Sequence, residues 1–308
     1  NLSELQAITS LDLNRKKLKT LPESIGALEN LTVLKISGNR LKELPQSITT
    51  LKNLRNLQCE NNLLETLPES FGKLQSLVIL NLNGNALSTL PLSFYELSNV
   101  TRLTLAVNRL SHLDNAFGNL KKLLHVSLDT NYFASLPDVF DSMKSLYYLD
   151  LSFNKLQSLP ESLGAIEELE TLILEGNLLK NLPSLEAHDM LVKLNLNSNH
   201  LRSIDFDLSK LEDLQILSLE NNQLTTLPET LCTLQKLTSL NVSANQLTHL
   251  PECLGNLENL YELDVEDNAI SALPFSINKL TKLKNLFIAN NNHLRKPNLS
   301  SLEYCDCE

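Results

Sequence analysis

The chain has 308 residues and a formal net charge of −10, from 26 Lys and Arg against 36 Asp and Glu. Hydrophobic residues reach 42%, ample for an ordered core, whereas 5% aromatics and no Trp leave little to line a large pocket. The acidic balance argues against a nucleic-acid partner, and no apolar run approaches the ~20 residues needed to cross a bilayer, so no membrane span is expected.

In chain order, residues 1–7 read as an N-terminal cap or partial repeat, because Leu2, Leu5 and Ile8 have the spacing of Ile25, Leu28 and Leu31. From residue 8 onward a Leu-x-x-Leu-x-Leu triplet recurs, starting at Ile8, Leu31, Leu54, Leu77, Val100, Leu123 and so on to Leu283. Starts are 23 residues apart, except that the unit at Leu169 is 22 long, which makes 13 repeats over 8–290. Residues 291–308 read as a C-terminal cap, with His293 and Lys296 standing where Leu41 and Leu44 stand in the second repeat.

Polar and special residues obey the same period. The ninth position is Asn in every repeat but the first, from Asn39 to Asn291, with Lys16 the departure. A buried amide both donates and accepts, so stacked copies can satisfy the backbone groups left open where each coil leaves its strand. All 11 prolines occupy position fifteen, with Asp114 and Asp205 in their place in the fifth and ninth repeats, and a fixed φ without a donor suits a turn onto the outer side. Five glycines sit at position nineteen and the remaining three, Gly38, Gly84 and Gly176, at position eight.

A unit this short cannot bury its own leucines, so stacking must supply the core. The expected fold is an α/β solenoid: a right-handed leucine-rich repeat horseshoe with a parallel β-sheet on the concave face and short helical or extended convex segments, a single domain over 1–308. The run Leu-Pro-Glu-Ser-Ile-Gly-Ala-Leu-Glu-Asn-Leu at 21–31 resembles the 23-residue Leu-Pro class of the leucine-rich repeat superfamily, as in intracellular Ras-associated scaffolds and the leucine-rich and PDZ family. That resemblance implies protein binding in intracellular signalling, with a small GTPase or a phosphatase as partner. It leaves function open otherwise, because the repeated residues are structural.

Catalytic parts are missing. His125, Ser127 and Asp129 alternate along one strand, but same-face neighbours stand ~6.5 Å apart, too far for the nucleophile-to-base hydrogen bond of a triad. Six histidines form no ligand-spaced cluster, and neither metal nor cofactor is expected. Cys59, Cys232 and Cys253 are scattered singly and Cys305 and Cys307 close the chain. That gives no disulfide framework and points to a reducing, cytoplasmic compartment.

Specificity should therefore lie in the variable residues that flank the strand leucines. In repeats five to eight these are Arg102, Thr104 and Val107, then His125 and Asp129, then Tyr147, Tyr148, Asp150 and Phe153, then Glu170, Ile173 and Glu175. Exposed Tyr and Phe among charged groups have the composition of an interface hot spot. From the seventh to the twelfth repeat the same face carries acids such as Glu220, Glu262, Asp264 and Glu266, opposed by Lys193, which favours a basic partner. The chain is read as a monomeric, non-catalytic scaffold holding a protein on its concave face. The competing readings are a regulatory segment of a larger enzyme or receptor, and a bacterial secreted or effector protein.

Overall fold

The computed structural model describes residues 5–292, 294, 297 and 299–306; Leu2, His293, Lys296 and Cys307, used above, lie outside them. The chain divides into two compact units, Asn1–Asn154 and Lys155–Glu308.

In the first unit seven three-residue strands run parallel in sequence order: β1 (Ser10–Asp12), β2 (Val33–Lys35), β3 (Asn56–Gln58), β4 (Ile79–Asn81), β5 (Arg102–Thr104), β6 (His125–Ser127) and β7 (Tyr148–Asp150). Register advances by one repeat per strand, so Leu34 faces Leu57 and Leu103 faces Val126. These central residues are fully buried while their neighbours on either side point outward, as the two-residue period of a strand requires. The second unit repeats the plan with β8 (Thr171–Ile173), β9 (Lys193–Asn195), β10 (Ile216–Ser218), β11 (Ser239–Asn241), β12 (Glu262–Asp264), β13 (Asn285–Phe287) and β14 (Tyr304–Asp306). Each unit is a right-handed parallel solenoid, the hand that parallel crossovers adopt.

Most coils return through a short 3₁₀ segment, such as Glu23–Ala27, Gln46–Thr50 and Leu92–Glu96. Pro22, Pro45 and Pro91 cap them in extended conformation, with φ of −74°, −63° and −66°. Where proline is replaced, the carboxylate takes over: Asp114 accepts the N–H of Ala116 at 2.8 Å. In the ninth repeat the capping residue is Asp207, which accepts from Ser209 N–H at 3.0 Å, rather than Asp205. The 22-residue unit makes its return from β8 to β9 through turns alone, and its fully buried His188 fills the place of the apolar residue held by Leu28 in the first repeat.

The asparagines do the work their spacing implies. Asn62 Oδ1 accepts the N–H of Leu41 in the preceding coil at 3.1 Å, and its Nδ2 donates to Ile36 O of that coil and to Cys59 O of its own, at 3.0 and 3.2 Å. Position eight is left-handed in every repeat, from Arg15 at φ 54° to Asn290 at φ 55°, which explains Gly38, Gly84 and Gly176 there.

On the convex side of the first unit, Phe71, Phe94, Phe117 and Phe140 stand at one repeat position and are fully buried. Phe71 stacks on Phe94 with centroids 6.2 Å apart. Position nineteen of one coil meets position seventeen of the next so closely that a Cβ on Gly72 would lie 2.0 Å from Ser93 O, and one on Gly255 2.1 Å from Ser276 O. Glycine at nineteen is thus a matter of clearance between coils.

Candidate partner-binding site

Strands β5 to β7 place Arg102, His125 and Tyr148 in one register row and Thr104, Ser127 and Asp150 in the next. His125 lies flat on Tyr148, with ring centroids 4.2 Å apart and planes 9° from parallel, and Tyr147 approaches the same imidazole at 6.5 Å. Burial, then the Arg102 cation, lowers the His125 pKa to about 4, so the stacked ring is neutral at neutral pH. Burial, then the Asp150 carboxylate, pushes the Tyr148 phenol up to about 12.

Asp150 accepts the N–H and hydroxyl of Ser152 at 3.0 and 2.6 Å, and burial raises its pKa. Asp129 accepts the hydroxyls of Ser127 at 2.7 Å and Thr130 at 3.2 Å. The hydroxyl of Ser127 therefore goes to a carboxylate rather than to His125, whose ring face stacks on Tyr148. No Ser-to-His hydrogen bond is available for nucleophilic chemistry. Thr104 and Ser127 are 8% and 9% exposed, so both lie on the face but are covered by their neighbours.

Around this polar centre stand exposed apolar groups: Tyr147, Val107 and Phe153 are 39%, 52% and 54% exposed. Val107, Thr130 and Phe153 occupy the left-handed position eight with φ of 53°, 54° and 52°. That conformation costs a residue with a Cβ ~1–2 kcal/mol and is unusual for β-branched side chains such as Val and Thr. Several other repeats put Gly or Asn there, including Gly38, Asn61, Gly84, Asn221 and Asn290. The three consecutive repeats five to seven thus hold bulkier residues in a conformation that smaller ones adopt more readily. The left-handed strain escapes a reading of composition alone; the phase of the glycines is the signal that could have exposed it.

The remaining predicted contacts, Glu170, Ile173 and Glu175, belong to the second unit. Ile173 ends β8, and Glu175 accepts Asn195 Nδ2 at 3.0 Å. Within that unit burial raises the pKa values of Asp264 and Glu266, with Glu220 and Asp264 respectively adding repulsion. Charge is divided unevenly along the chain: residues 1–154 carry 15 Lys and Arg against 14 Asp and Glu, and 155–308 carry 11 against 22.

The cysteine expectation is corrected. Cys232 and Cys253 form a disulfide with Cα atoms 5.8 Å apart, and Cys305 is disulfide-bonded as well. Cys232 stands at position nineteen and Cys253 at position seventeen of the next repeat, the pair of positions where adjacent coils come closest, so residues 21 apart in sequence meet on the convex side. Cys59 is a free, buried thiol whose pKa burial pushes up. Among the described residues, Glu229, Cys232 and Cys253 are the one group of three His, Cys, Asp or Glu with donor atoms close enough for a metal ion. No helix of the described residues is long and apolar enough to cross a membrane.

The leucine rich repeat family signature matches residues 29–87, 128–179 and 189–247, and the chain belongs to that family. No curated protein matches it significantly. Among solved structures it is similar to a leucine-rich repeat protein of Leptospira interrogans, with 30% identity, TM-score 0.74, and coverage of 99% of this chain and 87% of that one. The functional domain of InlJ from Listeria monocytogenes, described as including a cysteine ladder, is 25% identical with TM-score 0.78, covering 99% of this chain and 69% of that one. The plant peptide hormone receptor RGFR1, solved in complex with RGF2, is 26% identical with TM-score 0.75, covering 98% and 63%. The chain thus spans less than two thirds of that receptor chain.

Proposed function

We propose that the chain is a non-catalytic recognition module whose first unit seats a segment of a protein partner on the faces of β5 to β7. The observation that carries this reading is the group of exposed residues Val107, Thr130 and Phe153 held in left-handed backbone next to the His125–Tyr148 stack. Strain kept at exposed apolar positions, where smaller residues would fold more easily, is the pattern of a functional surface. Tyr147 and Phe153 would be the anchors, and Arg102, Asp129 and Asp150 the polar groups that orient the segment. Glu170, Ile173 and Glu175, with the acidic excess of the second unit, would favour a partner with basic residues.

In the intracellular setting implied by the resemblance to Ras-associated scaffolds, a monomeric chain would bind a small GTPase or a phosphatase in the cytoplasm. A second setting, secreted or extracellular, is favoured by the paired Cys232 and Cys253 and by likeness to a receptor solved with a peptide hormone. Affinity capture with the intact chain and with a Tyr147→Ala, Tyr148→Ala, Phe153→Ala variant of verified fold tests the site. A partner retained equally by both removes it from β5 to β7. Mapping thiols and disulfides in the chain taken from its native source separates the two settings.

A further inference from the structure

We propose that Glu229, Cys232 and Cys253 form a binding site for a thiophilic divalent cation such as Zn²⁺ when the two thiols are reduced. The site is independent of the partner-binding reading, because it lies on the convex side and uses none of the residues of β5 to β7.

The geometry follows from two local features. Glu229 and Cys232 begin and nearly end the five-residue 3₁₀ segment Glu229–Thr233, and side chains three apart on a 3₁₀ helix eclipse one another. Cys253 comes from the N-cap of the next coil's segment, Leu254–Asn256, at the place where adjacent coils approach most closely. In five other repeats this contact is made by glycine against the next coil, as with Gly72 and Ser93 or Gly255 and Ser276. Here the clearance is filled by two sulfurs.

One oxygen and two sulfurs lie within 4.8 Å of one another, and Glu229 Oε2 is 2.7 Å from Cys253 Sγ. A tetrahedral zinc centre with Zn–S bonds of ~2.3 Å separates its sulfurs by about 3.8 Å. The two sulfurs are bonded in the oxidised chain and their Cα atoms are 5.8 Å apart, so the reduced thiols would reach that span by swinging apart through side-chain rotation. Cys232 is 4% exposed, Cys253 half-buried and Glu229 exposed. The centre would be shielded on the core side and open to solvent at a fourth position, which a water can take.

Charge and electrons balance. Two thiols of a glutathione-type reductant supply two electrons and two protons to the Cys232–Cys253 bond, giving two protein thiols and one external disulfide. The cation then displaces both thiol protons, leaving two thiolates and the Glu229 carboxylate around a divalent ion, with affinity rising as the pH rises. The contact between these coils is closed in either redox state, by a covalent bond in one and by the ion in the other.

The test uses the full chain carrying Cys305→Ser and Cys307→Ser, so that the terminal cysteines do not compete. After phosphine reduction it is titrated with Cd²⁺, followed by thiolate charge-transfer absorption, and with Zn²⁺, followed by native mass spectrometry. One ion per reduced chain is expected and none per oxidised chain. Cys232→Ser and Cys253→Ser should each abolish binding, and Glu229→Gln, an exposed position that should leave folding unchanged, should weaken it on the order of tenfold or more. A folded reduced chain that takes up no ion overturns the proposal, as does undiminished binding by Cys253→Ser or Glu229→Gln. A reduced chain that stays unfolded with and without metal also overturns it, since the site requires stacked coils.

Discussion

The side-chain oxygen of Asn154 accepts the backbone N–H of Phe133, one coil earlier, at 3.1 Å. The amide nitrogen of Asn154 donates to the carbonyls of Leu128, Leu151 and Ser152, but Leu128 and Ser152 keep other donors, Asn131 Nδ2 for Leu128 and the N–H of Thr130 for Ser152. Phe133 N–H has no such reserve. Asn154→Leu should therefore cost about 1–3 kcal/mol, the penalty for one stranded buried donor, rather than the sum of four bonds. Urea denaturation followed by circular dichroism reads the cost, and an unchanged midpoint would show that Phe133 N–H finds another acceptor.

The stack of His125 on Tyr148 makes a prediction about pH. Folding lowers the His125 pKa from the ordinary 6.5 to about 4, so the folded protein prefers the neutral ring. The associated stability is whole above pH 6.5 and is lost as the pH falls from 6.5 toward 4. Tyr148→Ala removes part of the burial that is the main cause, and the pKa should rise toward its ordinary value. Proton NMR titration of the imidazole measures both chains. The fold should survive, because an aromatic pair on a sheet face contributes ~0.5–1.5 kcal/mol. A variant that unfolds would mean that Tyr148 serves the core.

The repeat made the fold legible, down to the roles of individual residues. Each Asn at position nine bridges to the preceding coil as its phase implies, and prolines at position fifteen cap the five-residue convex segments that begin at Glu23, Gln46, Leu92, Glu161, Glu229 and Phe275. What escaped reading depends on pairs of positions across coils. Cys232 and Cys253 look scattered along the chain and become neighbours only when position nineteen is seen to touch position seventeen of the next repeat. The same gap hid the exposure pattern of the site: Thr104, Ser127 and Asp150 share a repeat position, yet Thr104 and Ser127 are buried, at 8% and 9%, while Asp150 is half-buried. Val107 and Phe153 were legible as exposed apolar residues, but their left-handed backbone belongs to the turn geometry and not to residue type.

His188 predicts where acid acts. It is fully buried, its Nδ1 lies 3.1 Å from Leu185 O, and its Nε2 has no hydrogen-bond partner. Burial lowers its pKa, against smaller raising effects from backbone carbonyls and Asp189. The second unit should lose stability as the pH falls below the ordinary imidazole value of 6.5 and continue losing it down to the lowered folded value. His188→Leu restores the apolar residue that other repeats hold there and removes an unpaired buried nitrogen. It should raise stability by about 1–3 kcal/mol at neutral pH and by more in acid. Denaturation midpoints across this pH range decide it; parallel curves for the two chains would locate the acid sensitivity elsewhere.

Val107 separates stability from recognition. Its backbone has φ 53°, its side chain is 52% exposed, and the N–H and C=O still serve the ladder, donating to Asp129 O at 3.0 Å and accepting from Asn85 N–H at 3.2 Å. Asparagine tolerates this conformation and keeps both backbone bonds, so Val107→Asn should leave the coil intact. Relief of the β-branched strain should stabilise the chain by about 1 kcal/mol. If the faces of β5 to β7 bind a partner, the same substitution should weaken capture, because an apolar contact is replaced by an amide that holds its own water. The two readouts, denaturation midpoint and retained partner, are expected to move in opposite directions. A stabilised variant that captures the partner as well as the parent would leave the strain at Val107 without a function, and a destabilised one would show that its methyl groups support the turn.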